Sequence, residues 1–209
     1  MRRAVRPHPS ARSGGRAGPL TSRAVRALLV TVAAVGIGFG AVEVTLPAFV
    51  EELGERPSLG GVLLSVWAVG SVVGGLTYGG AHLSAPPRRQ LPVLVAALAL
   101  ASALPLLAEG LLAMAAMVFV YGLTIAPFSA CNSVLLGEAA PAGTTTEAFA
   151  WNSSMIFGGA ALGSALGGLL VEQHGPSAGL AVTAASGVLA LTSAVSGAAR
   201  LPDRRPVRA

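Results

Sequence analysis

Apolar residues run in long blocks along this chain, and polar residues gather in short gaps between them. Six blocks reach the length of about 18 residues at which an apolar helix can cross a bilayer. They are Ala27–Phe49, Leu59–Leu83, Leu91–Ala108, Leu111–Gly137, Glu147–Val171 and Ser177–Ala199. The gaps carry charges or helix breakers: Glu51–Ser58, Ser84–Gln90, Glu109–Gly110, Glu138–Thr146 and Glu172–Pro176. Thr144–Glu147 fits the T-x-x-E capping box, which predicts the start of the fifth helix. The pattern predicts an all-α integral membrane protein with six transmembrane helices.

Composition points the same way. The 209 residues are 53% hydrophobic and 11% charged, with a mean hydropathy of +0.70. Soluble domains are about 25% charged, and a soluble core of this size has no room for so many apolar residues. The single cysteine, Cys131, excludes a disulfide framework and a multi-cysteine metal site. All 14 basic residues are arginine, which fits a bacterial gene of high G+C content. The net charge of +5 sits at the chain ends without interleaved aromatics, so it reads as membrane topology rather than nucleic-acid binding.

Arginine placement predicts direction. With the N-terminus inside, the inner segments hold Arg2, Arg3, Arg6, Arg12, Arg16, Arg23, Arg26, Arg88, Arg89, Arg200, Arg204, Arg205 and Arg208, and the outer loops hold only Arg56. Glu51, Glu52, Glu55 and Glu109 fall outside. The expected organisation is a disordered basic tail over 1–25, a six-helix bundle over 26–200 and a second basic tail over 201–209. Both termini are expected in the cytoplasm of a multi-pass protein of the bacterial inner membrane. The first apolar run is too long for a secretory signal and leads into five more.

Glycines suggest a repeat. Ser71, Gly75, Gly79 and Gly80 in helix two match Gly159, Gly163, Gly167 and Gly168 in helix five at a constant offset of 88 residues, and Ser65 matches Ser153. Helices two and five run in opposite directions under the predicted topology, so the chain reads as two inverted three-helix repeats, a feature of secondary transporters. In lipid, helices associate through close backbone contact, and small residues four apart permit it. Gly36 and Gly40, Gly70 and Gly74, and Gly159, Gly163 and Gly167 are spaced in this way. The bland reading is packing within the bundle. The other is a surface for a second bundle, with helix five as its best candidate.

Several stretches resemble the C-terminal six-helix half of a bacterial efflux-type major facilitator superfamily transporter. They are GIGFGAVEVTLPAF in helix one, SVVGGLTYGG followed by Pro86-Pro87-Arg88-Arg89, YGLTIAPFSACNS in helix four, and AAPAGTTTEAFAWNSSMIFGGAALGSALGG leading into helix five. The resemblance covers nearly all of residues 25–200. Gly75 and the Arg88–Arg89 pair match the ends of the family's cytoplasmic loop motif, whose Asp is absent here. The resemblance implies alternating access, a small-molecule substrate and no resident cofactor. Family members usually have twelve helices in two halves, so it also implies a partner: a separately encoded half or a second copy of this chain. A truncated, non-transporting remnant or assembly partner is the alternative.

Polar groups inside the spans are the candidate pathway residues. Glu43 lies roughly 7.5 Å from the middle of helix one at 1.5 Å per residue, and an ionised carboxylate in hydrocarbon costs about 2.5–3.5 kcal/mol or more. It is therefore expected to face the bundle interior or a wet cavity, sharing a face with Gly36, Gly40 and Pro47. A proton-coupling or cation-binding acid and a hydrogen-bonded packing acid are both open for Glu43. Tyr121, Thr124, Phe128 and Asn132 follow helical spacing in helix four, beside the helix breaker Pro127. Trp151 and Asn152 open helix five; Trp151 reads as a substrate contact or an interface anchor, and Asn132 and Asn152 as ligands or interhelical hydrogen-bonders. Trp67 reads as packing. His82 and His174 lack partners at metal spacing. Few fixed charges in the spans favour an amphiphilic or drug-like cargo. A six-helix intramembrane serine protease would need a mid-span histidine beside a reactive serine; no histidine lies mid-span, and no enzyme activity is expected.

Overall fold

Backbone groups in a hydrocarbon slab have no water to bond, so each apolar block must satisfy its own N–H and C=O groups as a helix. A computed structural model describes residues 18–81 and 85–198. Among them are six long helices: α1 (Arg23–Glu52), α2 (Ser58–Gly80), α3 (Pro87–Ala103), α4 (Leu111–Ala139), α5 (Thr145–His174) and α6 (Pro176–Ala198), and no strand. All six are long and apolar enough to span a membrane, α3 together with the 3₁₀ turn Leu104–Leu107 that continues it. His82 and most of the two basic tails lie outside the described residues.

Local chemistry sets the ends. Ser22 caps α1 by accepting from the Val25 N–H at 3.4 Å. Pro87 occupies the first turn of α3, where its missing N–H costs nothing. Gly175, with φ of +81°, adopts the left-handed conformation that lets α5 stop and Pro176 begin α6 at once. One expectation fails here. The Thr144–Glu147 capping box does not close, because the Thr144 hydroxyl donates to the Pro141 carbonyl at 2.9 Å instead of capping the helix.

Helix α1 is the hub. It packs against α5 and α6, with further contacts to α2 and α4, while α2 rests chiefly on α4 and α3 bridges α4 and α6. Of the most apolar window of α1, 61% is buried, against 22% in α2 and 17% in α5. The outward faces of the bundle therefore belong largely to α2 and α5.

Two seams hold the helices at backbone distance. In the first, α1 and α5 run parallel. Side chains at Gly36 and Gly40 would overlap the carbonyls of Ile156 and Ala160, and side chains at Gly159 and Gly163 would overlap those of Ala33 and Ile37. In the second, α2 and α4 run parallel, in the direction opposite to α1. Side chains at Gly70 and Gly74 would overlap the carbonyls of Phe119 and Leu123, and one at Gly122 that of Trp67. These contacts correspond one to one: Gly36–Ile156 with Gly122–Trp67, Ala33–Gly159 with Phe119–Gly70, and Ile37–Gly163 with Leu123–Gly74. Pro127 has no N–H to offer the Leu123 carbonyl, and Gly74 backs onto that same oxygen.

The expected register therefore shifts by one residue. The offset between packing glycines of α2 and α5 is 89, not 88. Gly75 meets only the Ala126 methyl, and Gly79 and Gly168 meet nothing within 4 Å. These residues lie one position beyond the packed stripe, about 100° further round the helix. Gly167 packs against Ala41 and Val44 of α1.

Candidate functional site

Three aromatic rings from three helices meet beside α1. Phe39 of α1 stands edge-on to Trp67 of α2, with centroids 5.3 Å apart at 84°. Trp67 in turn lies 5.9 Å from Tyr121 of α4 at 32°. Gly122 makes this approach possible, because a side chain there would occupy the space of the Trp67 carbonyl. Phe39 and Trp67 form one wall of an open groove of about 530 Å³, completed by Ser71, Gly75, Ile125 and Ala126. The Trp67 Nε1–H is buried and has no hydrogen-bond partner among the described residues.

Tyr121 is buried and Trp67 lines the groove. Tyr121 is 1% exposed and lies behind Trp67, with its hydroxyl 3.2 Å from where a Gly38 side chain would begin. Its hydroxyl is turned toward α1 at Gly38. Trp67, expected to pack only, lines the groove. The signal for this was present: Trp67, Ser71 and Gly75 recur every four residues and form one stripe on α2.

Glu43 does not point into the six-helix interior. At 3.6 residues per turn it has rotated about 60° from Gly40, out of the α5 seam. Its side chain is exposed, and among the described residues it has no hydrogen-bond or ion-pair partner. Pro47, one turn further on, meets Gly60 of α2. Glu43 thus lies on the strip of α1 left open between α5 and α2, one turn from Phe39.

Asn132 and Asn152 are brought together. The Asn132 Nδ2 donates to the Asn152 Oδ1 at 3.1 Å, tying α4 to α5. Asn132 is 2% exposed, and its own Oδ1 has no partner among the described residues. Both lie near the helix ends on the side of the bundle that carries Arg23, Arg26, Arg88 and Arg89, away from the aromatic rings and from Glu43. Trp151 is half-buried against the core.

At those same ends, Tyr78 of α2 donates to the Gln90 Oε1 of α3 at 2.6 Å, and the Gln90 amide donates to the Ala85 carbonyl at 2.5 Å. The Cys131 thiol of α4 donates to the Pro87 carbonyl at 3.3 Å. These bonds tie α3 to α2 and to α4 at this side of the bundle. Among the described residues no group of His, Cys, Asp and Glu could hold a metal ion.

The family model of the Major Facilitator Superfamily matches residues 15–209. The chain belongs to the Major Facilitator Superfamily. No curated protein matches it significantly. Membership in the Major Facilitator Superfamily and six spanning helices make this a multi-pass membrane protein of a transporter family, whose setting is the lipid bilayer and whose substrates are small molecules. In the Major Facilitator Superfamily setting, the groove beside Phe39 and Trp67 and the open strip at Glu43 are the candidate pathway.

Proposed function

We propose that the chain moves a small amphiphilic molecule across the bacterial inner membrane by alternating access, as proton-coupled efflux, with both termini in the cytoplasm. The observation that carries this reading is Glu43: an exposed, unpartnered carboxylate inside a spanning helix. Lipid against an ionised acid costs about 2.5–3.5 kcal/mol or more, so water or a second protein surface covers that strip. The Phe39–Trp67 groove one turn away supplies an apolar, aromatic wall for the cargo.

The matched glycine contacts of the α1–α5 and α2–α4 seams support an inverted repeat. The little-buried α2 and α5 flank Glu43 and support a second six-helix unit, or a second copy, closing over it. Proton-driven efflux of ethidium from cells, and its transport in proteoliposomes, test the proposal. Glu43→Gln is expected to insert normally and to lose flux. Equal flux in both proteins removes Glu43 from the coupling. No ethidium flux from either, with or without a co-expressed partner half, favours the alternative of a non-transporting remnant or assembly partner.

A further inference from the structure

At the arginine-bearing end, α1 and α6 part to form a cleft of about 340 Å³ lined by Arg23, Arg26, Ala27, Val30, Ser193 and Ser196. The four α1 residues share one helical face, and the two serines are three apart on the facing helix. Gly197 brings α6 close below Arg26: a side chain there would start 2.7 Å from the Ala27 methyl. Thr31 and Ser193 close the floor, with hydroxyls 2.8 Å apart. The cleft is therefore built by the fold and does not arise from surface roughness.

Its chemistry changes with depth. Arg23 and Arg26 stand exposed at the mouth, and neither guanidinium has a hydrogen-bond or ion-pair partner among the described residues. Ser196 lines the cleft beside them, its hydroxyl donating to the Ser193 carbonyl at 3.0 Å. One turn deeper, toward the membrane interior, Val30 is 53% exposed. Two cations and a hydroxyl over an exposed apolar side chain match an amphiphile with an anionic head and an apolar tail. Arginine binds phosphate oxygens in a two-pronged geometry, and basic pockets between spanning helices suit anionic headgroups.

We infer that this α1–α6 cleft holds the phosphate of an anionic phospholipid, with an acyl chain lying along Val30. The site stands apart from the Phe39–Trp67 groove, and its test does not depend on transport. The shared chemistry is a phosphate monoanion, which free inorganic phosphate also supplies; the exposed Val30 favours the lipid.

The purified chain, exchanged into detergent with equal phosphatidylglycerol and phosphatidylcholine, would be measured by native mass spectrometry for retained lipid. Wild type is expected to retain phosphatidylglycerol preferentially, and excess inorganic phosphate is expected to leave that retention unchanged. Arg26→Gln should lower the preference roughly fivefold, and Arg23→Gln with Arg26→Gln about tenfold or more. Arg89→Gln, an exposed arginine on another helix, removes the same charge and should retain the wild-type preference. Thermal midpoints establish that the variants are folded. Wild-type retention in the folded double variant overturns the assignment, as does equal loss in Arg89→Gln, which would mean general surface charge. Displacement by inorganic phosphate overturns the lipid as the source.

Discussion

The Ser164 hydroxyl of α5 donates a hydrogen bond of 3.1 Å to the main-chain carbonyl of Gly40 in α1. It is a polar tie across a seam otherwise made of backbone contacts, and it exists because Gly40 leaves its carbonyl open to α5. Ser164→Ala is expected to destabilise the bundle by about 0.6 kcal/mol and by no more than about 1.7 kcal/mol, the range for hydrogen bonds between spanning helices. Thermal unfolding in detergent reads this as a small drop in midpoint; an unchanged midpoint would mean the bond contributes nothing.

Gly40 and Gly79 should respond to alanine in opposite ways. A methyl at Gly40 would overlap the Ala160 carbonyl, and a rigid backbone cannot turn aside. Gly40→Ala should cost about 1–3 kcal/mol by overpacking. Gly79 has open space, so Gly79→Ala should be neutral or gain about 0.5–1 kcal/mol from helix propensity. Matched midpoints for the two variants would contradict the seam.

Trp67 permits a test that separates its ring from its N–H. The indole N–H is buried and unpaired, so losing it removes no bond. Trp67→Phe removes ring volume but no hydrogen bond and should cost about 0.5–2 kcal/mol, less than the alanine variant. Trp67→Ala strips the wall shared with Phe39 and Tyr121 and should cost about 3–5 kcal/mol. A large loss in the phenylalanine variant would reveal a partner for the N–H.

The Asn132–Asn152 bond is suited to a double-mutant cycle. Asn152→Ala leaves the buried Asn132 amide without its one partner and should cost about 1–3 kcal/mol. Asn132→Ala is the second single variant, and the double alanine variant removes the stranded group, so it should cost less than the two singles summed. A strictly additive double variant would show that the two side chains do not couple.

Hydropathy made the six spans legible to within a few residues, and the i, i+4 spacing of Gly36–Gly40 and Gly159–Gly163 marked the α1–α5 seam. The facing of α2 was harder to read. Gly70–Gly74 and Gly75–Gly79 lie on neighbouring stripes, and both stripes are flanked by valine and leucine. In water, a polar face would have told the two apart; in lipid, both sides of a helix are apolar and amphipathicity carries little orientation. The same loss of contrast hid which of Trp67 and Tyr121 is buried and which lines the groove. Glu43 was legible as an anomaly, but a 60° rotation decides between the interior and an open strip, and that depends on where α5 and α2 come to rest.

Because glycine contacts set both seams, main-chain thickness fixes how far apart each helix pair stands. At those glycine contacts no rotamer has to reset when one helix turns against its neighbour; on the α1–α5 line only the Ser164 hydroxyl and the Val44 side chain stand in the way. The two lines therefore act as smooth bearings of fixed gauge, and the bundle's freedom to adapt to different cargo is left to the walls facing away from them.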